Sequence, residues 1–101
     1  MKNFASFWNE LKKDLSTKTK IKNWTVRNGF FGEDFSAQIT THDQVVCITP
    51  TGSINHAKRS DFELVFDNWE GYLSGRIQRN DLSNNSFVTK YTISIIHQYL
   101  K

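Results

Sequence analysis

Cysteine and proline are almost missing from this 101-residue chain, which contains one of each. With Cys47 as the single cysteine, the chain cannot form an internal disulfide or a metal site built from several thiolates. No apolar run approaches the roughly 20 residues of a membrane-spanning helix. The first 15 residues contain Glu10 and Asp14 and lack the continuous apolar segment of a signal peptide. We therefore expect a cytoplasmic protein that neither crosses nor binds a membrane.

The short motifs that carry catalysis or metal binding are also missing. The three histidines, His42, His56 and His97, do not fall into the spacings of common zinc sites. Cys47 lies among β-branched residues in a predicted central strand, where burial would raise the pKa of its thiol and leave it unreactive. No glycine-rich phosphate loop precedes a helix. The sequence predicts a protein that is not an enzyme, with no catalytic residues, metal ligands or cofactor.

What the chain has in excess is aromatic residues, at 14% of the sequence. That is a large share for one small core to bury, so part of it is expected in an exposed patch, a ligand cleft or a dimer interface. An aromatic-rich core explains the same composition equally well. The sequence leaves these two alternatives open.

Two segments have the apolar period of an amphipathic helix. The first spans residues 3–15. The second spans residues 60–75, where Ser60 and Glu63 have the spacing of a capping box and Gly75 supplies a helix stop. Its apolar stripe consists of Phe62, Val65, Phe66, Trp69, Tyr72 and Leu73.

Between these helices the period changes to two, which indicates β-strands. Asn28-Gly29 is a strong hairpin signal, and Ser53–Lys58 reads as a short edge strand. After an Asn- and Ser-rich loop, a last helix is predicted from about residue 87, capped by Asn84, Asn85 or Ser86. The sequence therefore predicts one α+β domain over residues 1–101, in which an N-terminal helix precedes a three- to four-stranded antiparallel sheet and two C-terminal helices. All helices are expected on one face of the sheet.

The F…W..Y..G pattern of Phe62, Trp69, Tyr72 and Gly75, within residues 55–100, resembles small uncharacterised bacterial proteins of mobile gene cassettes, such as those of integrons. It is also similar to short modules found near restriction and defence genes. The resemblance implies an accessory, often oligomeric α+β binding domain. These four positions are structural, so the resemblance implies no active site.

Nucleic-acid binding is one functional hypothesis. Basic residues precede and follow the 60–75 helix, and Arg27 lies beside Phe30 and Phe31, which together favour a charged stacking platform. The 60–75 helix itself is acidic, so it is not expected to lie in a DNA groove. The candidate nucleic-acid-binding residues are Arg27, His56, Lys58, Arg59, Arg76 and Arg79.

The preferred hypothesis is a non-catalytic interaction module that associates with itself, most simply as a dimer. A protein partner or a small apolar ligand is also compatible with the aromatic excess. Edge strand 53–58 and the Gly29–Gly32 tip both suit such contacts. The candidate pocket or interface residues are Trp8, Trp24, Phe30, Phe31, Phe35 and Trp69.

Overall fold

The structure, a computed structural model, describes residues 3–83 and 88–100. The described part has an α+β fold, which confirms the fold class predicted from the sequence. Its helices are α1 (Phe4–Asp14), α2 (Arg59–Asp67), α3 (Trp69–Ser74), α4 (Arg79–Ser83) and α5 (Thr89–Tyr99). Its strands are β1 (Thr19–Ile21), β2 (Trp24–Thr25), β3 (Gly29–Phe30), β4 (Phe35–Ile39), β5 (Gln44–Ile48) and β6 (Ile54–Lys58).

Four strands form one antiparallel sheet in the order β1-β4-β5-β6. The hairpin β2–β3 interrupts the chain between β1 and β4 and forms a separate two-stranded sheet. In the main sheet Ala37 lies opposite both Thr19 and Cys47, and Cys47 lies opposite Asn55. The predicted edge strand is confirmed, because β6 stands at the end of the sheet.

One face of the main sheet is buried under the helices. Alternate side chains of its four strands enter the core: Ile21, Phe35, Ala37, Val45, Cys47 and Ala57. Residues of α1, α2 and α5 complete that core, so the helices pack on one face as predicted. The opposite face, called the open sheet face below, presents Lys20, Ser36, Gln38, Val46, Ile48, Ile54, His56 and Lys58.

The N-terminal helix follows its sequence pattern closely. The side-chain oxygen of Asn3 accepts a hydrogen bond from the amide of Ser6 (2.8 Å) and caps α1. Phe4, Phe7, Trp8 and Leu11, which recur at helical spacing, are all buried. At the far end, the carbonyl of Leu15 accepts from the amide of Ile39 (2.8 Å), which ties this helix to β4.

The predicted 60–75 helix is divided at Asn68 into α2 and α3. The Asn68 side-chain amide donates to the carbonyl of Leu64 (2.8 Å), and its backbone amide donates to Val65 (3.2 Å), which tightens the last turn of α2. The capping prediction at Ser60 is wrong, because the helix begins at Arg59. The Asp61 carboxylate instead accepts from the amide of Lys58 (2.8 Å).

The end of this helical segment is as predicted. Gly75 has a φ of 84° and closes α3 in the left-handed conformation. Within the predicted apolar stripe, Phe62, Val65 and Tyr72 are buried, whereas Leu73 is 45% exposed. The stripe therefore contributes to the core over most of its length but not at its last member.

The C-terminal segment differs from the prediction in one element. The predicted loop after Gly75 contains α4, where the Asp81 carboxylate accepts from the amide of Gln78 (2.9 Å) and Leu82 is buried. The last helix, α5, is confirmed, and most of its residues are buried although many of them are β-branched. Burial of these side chains therefore outweighs their weak helix propensity. The predicted capping residues Asn84, Asn85 and Ser86 lie outside the described residues.

Over residues 3–83 and 88–100, no helix is both long and apolar enough to cross a membrane.

Candidate functional site

The hairpin β2–β3 places two neighbouring phenylalanines at the surface. Trp24 pairs with Phe30 and Thr25 with Gly29, and Gly29 has a φ of 65° that suits the tight turn. Inside the turn, the hydroxyl oxygen of Thr25 accepts from the amide of Asn28 (3.2 Å). Phe30 is 58% exposed and Phe31 is 51% exposed. The hairpin thus presents the largest adjacent pair of exposed apolar rings in the described part of the chain.

Two buried hydroxyl groups hold this hairpin on the helices. The Ser94 hydroxyl of α5 accepts from the amide of Trp24 (3.0 Å), and its hydrogen lies within reach of the carbonyls of Lys90 (3.1 Å) and Trp24 (3.3 Å). The Tyr72 hydroxyl of α3 accepts from the amide of Val26 (3.1 Å). The exposed rings are therefore carried by a backbone that is fixed to the core at two points.

On the Phe31 side, two depressions of about 280 and 270 Å³ adjoin each other. Both are bordered by Thr25, Phe31 and Arg79. The first depression is also bordered by Arg27 and Gln78. The second is also bordered by Glu33, Lys90, Tyr91 and the β5–β6 turn at residues 49–51. Arg79, the first residue of α4, borders both.

On the Phe30 side, a depression of about 370 Å³ is bordered by Lys20, Lys22, Phe30, His97 and Gln98. The ammonium nitrogen of Lys22 lies 6.0 Å from the centre of the Phe30 ring. His97 stacks on Trp24 with ring centres 3.8 Å apart and an interplanar angle of 7°, and it meets the Phe30 ring edge-on at 5.5 Å. Phe31 therefore borders two adjoining depressions and Phe30 borders a third, and each of the three is bordered by at least two basic residues.

The charges around the hairpin are unbalanced. We define the hairpin surface as the two exposed rings and the basic residues that border the three depressions: Lys20, Lys22, Arg27, Phe30, Phe31, Arg79 and Lys90. Among the described residues that border these three depressions, Glu33 is the one carboxylate. A ligand with several negative charges and flat rings matches this combination.

The six predicted basic residues fall into separate groups. Arg27 and Arg79 border the same depression, although they are distant in the sequence. His56 and Lys58 lie on the open sheet face. Arg59 sits above the ring of Phe4 in α1, with its guanidinium carbon 5.4 Å from the ring centre, and Arg76 donates to the Ser74 hydroxyl (3.3 Å).

The six predicted aromatic residues do not meet in one pocket. Trp8 is buried between α1 and α2, 5.4 Å from the ring centre of Phe62. Phe35 is buried in the sheet, meets Tyr91 edge-on at 5.0 Å and also borders the second depression. Trp24 and Trp69 are half-buried beside each other, with ring centres 6.0 Å apart. Of the six, only Phe30 and Phe31 are exposed.

The thiol of Cys47 lies in the core on the inner face of β5. Burial raises its pKa to about 12, so the thiolate needed for nucleophilic attack does not form at neutral pH. In the described residues, no three His, Cys, Asp or Glu side chains are grouped as metal ligands.

Lys20, Lys22 and Lys90 belong to this surface, but they are not among the six candidate residues predicted from the sequence. On sequence grounds Lys20 and Lys22 are two of several N-terminal lysines that could contact phosphates, and dispersed lysines of this kind more often serve solubility. Lys20 and Lys22 belong to a lysine-rich segment that resembles an ordinary polar linker, and Lys90 lies on the exposed side of α5. For Lys22 the sequence does offer one indication that it belongs to the surface, because this residue precedes the hairpin by only two positions. Lys90 carries no local signal of this kind.

Comparisons with protein-family models, curated proteins and solved structures gave no match to this chain. The resemblance to integron-cassette proteins therefore stays a prediction.

Proposed function

We propose that this protein is a non-catalytic binding module that binds single-stranded nucleic acid through the hairpin surface. The observation that carries the proposal is the pair of exposed rings, Phe30 and Phe31, set between basic residues on both sides. As parts of the same proposal we keep the cytoplasmic location and the bacterial accessory role that the sequence predicts.

Unpaired bases are flat rings that can stack on the two exposed phenylalanines. Stacking of a base on an aromatic side chain contributes about 1–3 kcal/mol and requires no particular base. In a duplex the bases are already stacked on each other, so they have no free face on which an exposed phenylalanine could stack. The rings therefore favour a single strand over a duplex.

The phosphates of the same strand suit the basic residues. Arg27 and Arg79 border the depression beside Phe31, while Lys20 and Lys22 border the one beside Phe30. A strand that crosses the hairpin from one depression to the other would meet cations before and after the two rings. Contacts of this kind release counterions, which makes the affinity depend strongly on salt.

A small apolar ligand is a weaker match to the same site. The depression beside Phe31 has two guanidinium groups and the amide of Gln78 on its border, and burying them under an apolar molecule without hydrogen bonds is unfavourable. An anionic ligand satisfies these donors instead.

The test is a fluorescence-anisotropy titration of a labelled single-stranded oligothymidine between 50 and 200 mM salt. In the double variant Arg27→Ala/Arg79→Ala we expect an affinity about tenfold lower at the lowest salt, because two phosphate contacts are lost. The slope of log affinity against log salt should become shallower by about 1.4, which corresponds to two contacts on a single strand.

The matched control is Arg59→Ala/Arg76→Ala, which removes the same charge from residues that do not border the hairpin depressions. It should keep the wild-type slope and an affinity close to that of the wild type. Equal losses in both double variants would mean that net charge alone drives binding, and the proposed site would then be rejected.

A further inference from the structure

The edge strand β6 carries a second surface, which the hairpin proposal does not use. Its backbone pairs with β5 on one side, and no other strand of the described chain lies on its outer side. The other end of the main sheet is formed by β1, which has only three residues. An unpaired edge of five regular residues is a template for another strand.

The hydrogen-bond pattern shows which backbone groups of β6 point outwards. In antiparallel strands, opposite residues alternate between pairs that exchange hydrogen bonds and pairs that do not. The amide of Thr49 donates to the carbonyl of Ser53 (3.0 Å), so the next bonded pair along the register is Cys47 with Asn55. Ile54 and His56 therefore direct their amide and carbonyl groups away from β5.

The pairing of β5 with β4 leads independently to the same backbone orientation in β6. There the amide of Thr40 donates to the carbonyl of Gln44 (2.7 Å), which directs the backbone groups of Gln44 and Val46 towards β4. Val46 is the residue opposite His56, so it does not bond to His56. The outward direction of the His56 backbone thus follows from both neighbouring strands.

Lys58 is the third residue with this orientation, but its amide is already occupied. It donates to the Asp61 carboxylate at 2.8 Å. The free edge therefore consists of Ile54 and His56, and no hydrogen bond to their outward groups is present within residues 3–83 and 88–100.

We propose that β6 pairs antiparallel with β6 of a second copy of this chain, with the two-fold axis at Asn55, to form a continuous eight-stranded sheet. In this register Ile54 of each copy lies opposite His56 of the other copy. Each of these two pairs exchanges two backbone hydrogen bonds, which gives four in total. A register with the axis at His56 would use the outward groups of His56 alone, because it sets Ile54 against the occupied Lys58. It would also place two histidine side chains directly opposite each other.

The composition of the edge favours a second copy as the occupant. Edge strands are usually protected by prolines, bulges or charged side chains. β6 has no proline and no bulge, and its one lysine, Lys58, stands at the end of the strand, outside the free edge formed by Ile54 and His56. Identical strands related by a two-fold axis satisfy each other's free groups without leaving a new unpaired edge at the contact. The side chain of Ile54, which is 61% exposed, would be covered by its partner strand.

The first test is light scattering at low and high salt. Wild-type protein should have twice the monomer mass at both salt concentrations, because backbone hydrogen bonds rather than charges form the contact. His56→Pro removes only an outward amide, so it should leave the β5–β6 ladder intact and produce a monomer. His56→Ala keeps that amide and should remain a dimer, with circular dichroism confirming that both variants are folded.

The second test fixes the register and does not depend on the proline variant. Residues opposite each other in a pair that exchanges no hydrogen bonds have Cα atoms about 4.5 Å apart, within the range of a disulfide. Because Cys47 lies opposite residue 55 within the same chain, both cysteine variants are made in a Cys47→Ala background, which leaves residue 55 or 56 as the single thiol. Asn55→Cys should then cross-link to itself under mild oxidation, whereas His56→Cys should not. A wild-type monomer, a dimeric His56→Pro variant, or cross-linking through residue 56 instead of residue 55 would each overturn the proposal. A monomer would leave the edge free for a strand from a different protein.

Discussion

Replacing Phe62 with alanine is expected to lower the free energy of unfolding by about 3–5 kcal/mol. Phe62 is fully buried at the junction of α1 and α2, where its ring centre lies 5.4 Å from that of Trp8. The cost combines the lost burial of the ring with the cavity that remains, since the surrounding core relaxes only in part. For a domain with a total stability of about 5–15 kcal/mol, this loss is a large fraction.

The matched control is Leu73→Ala. Leu73 belongs to the same predicted apolar stripe, but it is 45% exposed and should cost no more than about 0.5 kcal/mol. Urea unfolding followed by far-UV circular dichroism measures both, and Phe62→Leu provides a milder variant if the alanine protein does not fold. Similar losses at positions 62 and 73 would show that the packing of α2 and α3 is described incorrectly.

Phe31→Ala is expected to weaken binding of single-stranded oligothymidine by about 1–3 kcal/mol, or roughly 5- to 150-fold. The reason is the loss of one stacked base, since Phe31 borders both depressions that contain Arg79. Because half of its ring is already exposed, the melting temperature should change little.

Anisotropy titrations at one fixed salt concentration compare this variant with Phe30→Ala and Leu73→Ala. Phe30→Ala should also weaken binding, since it removes the ring from the depression that Lys20 and Lys22 border. Leu73→Ala removes an exposed apolar side chain that does not border the hairpin depressions, and it should bind as the wild type does. Unchanged affinity in both phenylalanine variants would exclude base stacking on the hairpin.

Local sequence patterns predicted the elements whose residues all lie close together in the chain. The period of Phe4, Phe7, Trp8 and Leu11 was sufficient for α1, and Asn28-Gly29 was sufficient for the hairpin, because both depend on neighbouring residues. The helix boundary at residue 60 was predicted wrongly because Ser60 and Asp61 both offer capping oxygens, and only the folded backbone selects Asp61.

The candidate site was predictable only in part, because it is assembled from distant segments. The sequence predicts Arg27 as a binding residue because Phe30 and Phe31 lie near it, and it predicts Arg79 because this residue follows a helix. Arg27 and Arg79 border one depression because Arg79 lies in α4, a helix within a segment whose sequence predicts a loop. The attachment of Trp24 to Ser94 and of Val26 to Tyr72 is equally non-local, and no periodicity indicates it.

The most direct test of the central claim is a map of the amide chemical shifts of isotope-labelled protein during titration with single-stranded oligothymidine. Binding through the hairpin surface predicts the largest changes at residues 27–31, at Arg79 and at Lys90, with the open sheet face around His56 and Lys58 unchanged. Changes confined to that open sheet face, or no changes at the hairpin at saturating oligonucleotide, would contradict the account.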